Sequence, residues 1–164
     1  MCIKIVAEAT NSRRNQNKRE HAYYKKLADK NIDWKHIASC HGWVKTNLGK
    51  GLVFDLVADH DNAPLPNLQE QLEEKNIDKE KLKFELKMLK KWIFEHAIIV
   101  ADLKPENMIY ISHKPKGQRL ILVDGVNDRN FIKLFNRIPY IARMKMNRIW
   151  ERFTTQHLSK YGLA

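Results

Sequence analysis

Between positions 102 and 107 the chain reads Asp102-Leu103-Lys104-Pro105-Glu106-Asn107, a spacing that lets a carboxylate, an ammonium and a carboxamide converge around a proline-fixed loop. Phosphoryl transfer needs that set: a carboxylate to orient a hydroxyl nucleophile, a cation for the transferring phosphate, and an oxygen ligand for Mg2+. A second carboxylate, Asp124, stands beside Gly125 at the end of the apolar run Arg119-Leu120-Ile121-Leu122-Val123. There it suits a Mg2+ ion shared with nucleotide phosphates, because Mg2+ takes hard oxygen ligands from one or two carboxylates plus the substrate. The same loop also reads as a plain polar turn, in which Asp caps a helix and Asn tolerates a left-handed backbone. Seven histidines show no HxxxH or HExxH spacing, and Cys2 and Cys40 have neither ligand spacing nor the numbers for a disulfide framework.

Hydrophobic periodicity predicts the elements that must carry these groups. Ile3, Ile5 and Ala7 alternate with Lys4, Val6 and Glu8, the period-two pattern of a strand with Lys4 on one face. Residues 11 to 17 read as a polar loop with Ser12 as a helix cap. From about Arg13 to Asp29 a helix is predicted, since Glu20, Tyr23, Tyr24 and Leu27 fall at i, i+3, i+4 and i+7. An acid thus lies in its apolar stripe. Gly42 to Thr46 and Leu52 to Val57 flank a turn holding Gly49 and Gly51, which predicts a hairpin. The turn-rich stretch from Asp59 to Pro66 reads as a linker between two halves. Beyond it a short helix carries Leu68 and Leu72. A long one from about Lys79 to His96 carries Leu82, Leu86, Leu89 and Ile93, with Phe84, Met88 and Trp92 widening the stripe. Strands at 107 to 111 and 119 to 123 surround the turn Lys114-Pro115-Lys116-Gly117, and a basic helix runs from about Tyr140 to Phe153. Trp34, Trp43, Trp92 and Trp150 sit in apolar patterns and are expected in the core.

The 164 residues carry 30 Lys+Arg against 19 Asp+Glu, a net charge of +11, with 43% hydrophobic content. That composition supports one folded domain and argues against a disordered or low-complexity chain, and the strands and helices above make its class α/β. The longest apolar run, residues 97 to 101, is strand-sized and far from the ~20 residues that span a bilayer. The first residues also lack the pattern of a signal peptide. A cytoplasmic location is therefore expected. The charge is uneven: from Arg129 onward eight bases face the single acid Glu151, leaving only +4 for the first 128 residues. A phosphate cleft in the body does not account for it. The final helix reads as docked with a solvated basic face, with a membrane or other anionic surface as the competing use. Nucleic acid is not expected, since no helix-turn-helix, zinc-finger, RNP or KH signature accompanies the charge.

Taken in order, the residues from Asp102 to Asn107 with Asp124 resemble the protein-kinase-like superfamily, whose catalytic loop reads H-R-D-L-K-P-E-N and is followed by a hairpin and D-F-G. The resemblance implies a minimal two-lobe α+β fold: residues 1–58 an N-lobe sheet with one helix, 59–66 the hinge, 67–164 a short, mainly helical C-lobe ending in the basic helix. It implies Asp102 as catalytic base, Lys104 as phosphate contact, and Asn107 and Asp124 as metal ligands. Cys2-Ile3-Lys4 looks like the end of the V-A-I-K strand, which makes Lys4 the phosphate-anchoring lysine and Glu20 its ion-pair partner. Apart from the resemblance, these two read as an exposed terminal lysine and a solvated helix acid. ATP and Mg2+ are the implied cofactors, and the acceptor is unassigned.

More closely, Cys2-Ile3-Lys4-Ile5-Val6, Arg19-Glu20 with Tyr23-Tyr24, His41-Gly42, Gly51 with Val53 and Asp55, and Leu103 to Asn107 are similar to the bacterial YrbL family, named for the PhoP regulatory network. The chain departs from the kinase pattern in several places. The three residues before Lys4 leave no room for a glycine-rich phosphate loop, which points to a late start or to a protein that works without ATP. Val100-Ala101 replaces the His-Arg pair, Asp124 is followed by Gly125-Val126, and no A-P-E follows. Control through an activation loop is not expected. The competing reading of the whole chain is a pseudokinase or regulatory interaction module.

Overall fold

The computed structural model describes residues 1–5, 11–59, 61–74, 77–112, 117–128 and 139–163, with the backbone alone for 11–15. Strand β1 (Cys2–Ile5), helix α1 (Asn11–Asp29) and the hairpin β2 (Cys40–Thr46) and β3 (Gly49–Phe54) come first. β3 lies between its antiparallel neighbours in the order β1-β3-β2, with Lys4 opposite Leu52 and Ile5 opposite Gly51. Leu52 and Phe54 are buried, whereas Ile3, on the edge strand, is exposed. Of the strand predicted through Glu8, Val6, Ala7 and Glu8 lie outside the described residues. Helix α1 begins at Asn11, so it absorbs the segment predicted as a loop and Ser12 does not precede it. That segment is polar yet contains neither Gly nor Pro, and nothing in it stops a helix. β3 ends at Phe54 rather than Val57. Asp55 instead ties the sheet together with its carboxylate, which accepts from Ser39 N at 3.1 Å and pairs with His41 Nε2 at 2.6 Å.

The stretch predicted as a linker opens on a turn: Asp59 Oδ1 accepts from the amides of Asp61 and Ala63, each at 2.9 Å. His60 lies outside the described residues. Helix α2 (Leu68–Glu73) starts on a capping box of Asn67 and Glu70 and buries Leu68 and Leu72. The amide of its Gln71 side chain clips the backbone of Tyr110, donating to O at 3.0 Å and accepting from N at 3.2 Å. Helix α3 (Lys79–Glu95) is capped by Asp78 and buries Leu82, Leu86, Leu89, Trp92 and Ile93. Phe84, predicted to widen that stripe, is exposed, so the helix is covered over a narrower arc than its sequence implies.

A second antiparallel sheet, β4 (Met108–Ile111) with β5 (Arg119–Leu122), follows. Residues 114–116 of its predicted turn lie outside the described residues. Its outer edge is taken by residues 36–38 from the first half: Leu122 N donates to His36 O at 2.9 Å and Ala38 N to Leu122 O at 3.0 Å. His36 is buried, its Nδ1 sits 2.7 Å from Leu120 O, and its ring meets Trp92 edge-on. Burial pushes the His36 imidazole below its ordinary pKa, with the Leu120 carbonyl opposing. One hydrophobic core therefore runs through both halves, from Leu27 and Phe54 to Ile98, Leu122 and Phe153. Trp92 and Trp150 belong to it, but Trp43 is 40% exposed on the outer face of β2, against the expectation that it is buried.

Helix α4 (Pro139–Phe153) docks on that core through Ala142, Met146, Trp150 and Phe153, spaced i, i+4, i+8 and i+11. The apolar side predicted for it included Ile141 and Met144, and neither enters the core: Met144 is 45% exposed. The helical course continues beyond the predicted end through a π-helical turn (Thr154–Leu158) and a 3-10 turn (Ser159–Tyr161), which anchor Leu158 and Leu163 in the core. The described residues thus form a mixed α/β fold of two small antiparallel sheets and four α-helices.

Candidate functional site

Lys4 reaches from the edge strand into the space between α1 and the turn after β5. Its Nζ lies 2.8 Å from Glu20 Oε2 and 2.8 Å from Asp124 Oδ1. Glu20 is fully buried on the inner face of α1, and its other oxygen, Oε1, has no hydrogen-bond partner among the described residues. Asn17, one turn earlier on that face and also buried, donates to Lys4 O at 3.2 Å and holds the strand in register with the helix. Burial pulls the Lys4 ammonium pKa down, but the two carboxylates outweigh it and the net direction is up. Loss of water pushes the Glu20 carboxyl pKa up, against the pull of Lys4. The odd acid in an apolar stripe is therefore the buried anchor of a lysine.

The loop from Asp102 to Asn107 follows α3 and the buried, irregular residues 98–100. Pro105 opens a single 3-10 turn, Pro105–Asn107, and is itself buried, so the loop is clamped at its middle. Asn107 Nδ2 donates to Asp102 O at 2.7 Å and to Asp102 Oδ2 at 3.1 Å, which leaves the carboxamide oxygen as its ligand-capable atom. Lys104 Nζ stands 3.4 Å from Asp102 Oδ2. The turn reading holds for the turn itself, but the 3-10 turn carries no side-chain cap bond and Asn107 is not left-handed.

Gly125 joins the two groups. The amides of Ala101 and Asp102 both point at Gly125 O, at 2.9 and 3.4 Å, and Val123 N donates to Asn107 O at 3.0 Å. The backbone of Ala101 thus holds the segment that follows Asp124 in place. Such closeness requires glycine: φ is +79°, and a Cβ there would lie 2.6 Å from Asp102 O and 3.1 Å from Asn107 Nδ2. Gly125→Ala is expected to cost about 2–4 kcal/mol, from a left-handed backbone plus steric overlap. Gly117→Ala, at φ +73° with nothing near the added methyl, is the control that carries the backbone cost alone. Urea denaturation of the two variants measures the difference, and equal losses would mean that the contact between the loops is slack.

All six residues singled out from the sequence fall in one region: Lys4, Glu20 and Asp124 in one cluster, Asp102, Lys104 and Asn107 in the next, with Gly125 between. Among the described residues no three of His, Cys, Asp and Glu converge as a metal cage. A carboxylate at Asp124 and a carboxamide oxygen at Asn107 would instead make a hard, incomplete donor set for a Mg2+ ion that took its remaining ligands from phosphate and water. By that donor chemistry the residues fit such an ion. What the sequence concealed is a second wall. Arg152, Gln156 and His157, from α4 and the π-helical turn, line a cavity of about 180 Å³ together with Asp102 and Lys104. Some fifty residues separate them from Asp102, and no local pattern marks that contact.

A profile of the family described as PhoP regulatory network protein YrbL matches residues 1–158. The chain is 31% identical over 159 residues to the "Uncharacterized protein YrbL" of Escherichia coli (strain K12), covering 94% of this chain and 75% of that protein. The protein of the same description from Shigella flexneri matches at the same identity and coverage. Among the described residues no helix is long and apolar enough to cross a membrane.

Proposed function

This chain belongs to the YrbL family of PhoP regulatory network proteins, and we propose that it is a minimal kinase-like phosphotransferase, binding a Mg2+–nucleotide between its two halves and passing the γ-phosphoryl group to a hydroxyl acceptor. The observation that carries this reading is the Lys4 ammonium held between a fully buried Glu20 and the solvent-reachable Asp124. Burying Glu20 is costly, and it is offset only by fixing a cation in one place. Holding that cation beside an oxygen donor for a metal is what a phosphate site requires.

In this reading Lys4 binds the nucleotide phosphates and Glu20 keeps it aimed. Asp124 and Asn107 hold the metal. The Mg2+–nucleotide supplies the transferable phosphoryl group and the charge that neutralises its oxygens. Asp102 accepts the hydroxyl proton of the acceptor as the new acceptor O–P bond forms and the bond from Pγ to the β,γ-bridging oxygen breaks, releasing the nucleoside diphosphate. Lys104, within 3.4 Å of Asp102, stabilises the negative charge on the phosphoryl group in flight.

Thermal unfolding with and without Mg2+–ATP tests the nucleotide site. At about 100 times Kd, ligand adds about 2.7 kcal/mol, which for a domain of this size raises Tm by about 5–10 °C. Asp124→Ala is expected to lose most of that shift. Absence of any shift in the wild-type protein overturns the enzyme reading in favour of an interaction module.

A further inference from the structure

The acceptor side of the cleft is built from the part of the chain that holds most of the excess positive charge. The cavity of about 180 Å³ has Asp102 and Lys104 on one wall and Arg152, Gln156 and His157 on the other. A second cavity of about 540 Å³ shares Ala101, Ile149 and Arg152 with it and adds Ile141, Met144, Lys145 and Arg148. The basic face of α4 is therefore a wall of the cleft at the candidate base, where a freely solvated face was expected. The three cations of that wall differ in state. Lys145 is held by Asp128 at 2.6 Å and is largely neutralised. Arg148 and Arg152 are exposed and pair with no acid among the described residues.

Resting on the phosphotransfer reading, we propose that the acceptor is a low-molecular-weight alcohol carrying an anionic group, phosphate or carboxylate. Its hydroxyl lies at Asp102 and its anion against Arg152. Charge sets this orientation, because an anion beside the Asp102 carboxylate is repelled while the guanidinium at the far wall offers a paired, planar set of donors. Gln156 and His157, brought round by the π-helical turn, supply further hydrogen bonds at that end. Size sets the class: at about 30 Å³ per water, the inner cavity equals about six waters, below the roughly 300 Å³ of sites that enclose drug-sized ligands.

Inorganic phosphate is the probe that needs no turnover. Titrated at constant ionic strength against sodium chloride, it is expected to shift the His157 ring resonances in the NMR spectrum. In Arg152→Gln its apparent Kd rises at least tenfold, while in Lys91→Gln, which removes the same charge outside both cavities, it stays unchanged. Glycerol 3-phosphate and glycerate, each compared with glycerol as acceptors from ATP, separate the phosphate and carboxylate arms. At least a tenfold preference in kcat/KM for one anionic member is expected, with the loss in Arg152→Gln appearing mainly in KM. No shift at His157, equal use of glycerol, or transfer only to an acidic serine peptide overturns the proposal. If phosphate binds at Arg152 but Mg2+–ATP gives no thermal shift, the anion site stands and the phosphotransfer reading falls.

Discussion

Asp102→Asn is expected to lower the rate of phosphoryl transfer by about 10²–10⁴-fold, the usual contribution of a positioned general base, while leaving nucleotide affinity within about threefold of wild type. The substitution is nearly isosteric. The bond from Asn107 Nδ2 to the side chain at position 102, 3.1 Å long in the native loop, has an amide oxygen to accept it, and the tie from Asn107 to the backbone carbonyl at 2.7 Å is untouched. The loop should therefore keep its shape, and Tm should move by no more than about 1 °C. What is lost is the proton acceptor and the charge that faces Lys104. Steady-state kinetics with the Mg2+–ATP thermal shift as a binding control reads both halves of the expectation. Wild-type turnover that survives unchanged in Asp102→Asn would falsify the assignment of Asp102, and turnover absent from both proteins leaves the interaction module as the reading.

Lys4→Met is expected to destabilise the fold by about 3 kcal/mol near neutral pH. Breaking a buried ion pair by removing one partner costs about 3–5 kcal/mol, and Lys4 keeps 28% side-chain exposure while Glu20 keeps 1%, which places the effect at the lower end. The loss depends on pH with a definite sign. In the native protein the Glu20 carboxyl pKa is already raised, by burial, with Lys4 opposing that shift; without Lys4 it goes higher still. A group whose folded pKa lies above its unfolded value favours the fold below the unfolded pKa and loses that advantage as pH rises through the folded one. The variant should therefore be closest to wild type in acid, near and below the ordinary glutamate pKa, and furthest from it at neutral pH and above. Glu20→Gln in the same chain removes the buried charge, and the double variant should recover most of the lost stability, a coupling that a double-mutant cycle by urea denaturation measures. If Lys4→Met costs the same at every pH and Glu20→Gln recovers nothing, the pair is not the anchor described here.

Local chemistry made much of the site legible. Asp102, Lys104 and Asn107 lie within six residues, and a proline makes their loop compact whatever surrounds it. Glu20 was visible as an acid in an apolar stripe, because a helix shows its faces in its own spacing. The same logic misled at Phe84 and Trp43, since periodicity reports which side of an element is apolar and not whether a neighbour arrives to cover it.

Sequence by itself thus located most of the elements and the compact loop of Asp102, Lys104 and Asn107, properties of neighbours along the chain, whereas Lys4 and Glu20 were singled out as site residues only through the family resemblance. Only the tertiary structure decided that Lys4 spans Glu20 and Asp124, 120 positions from Lys4, and that a glycine lets two loops meet through their backbones. It alone put the basic terminal helix against Asp102. Contacts over such separations are set by which buried surfaces find each other when one core closes, and the pattern of any single segment carries no record of that choice.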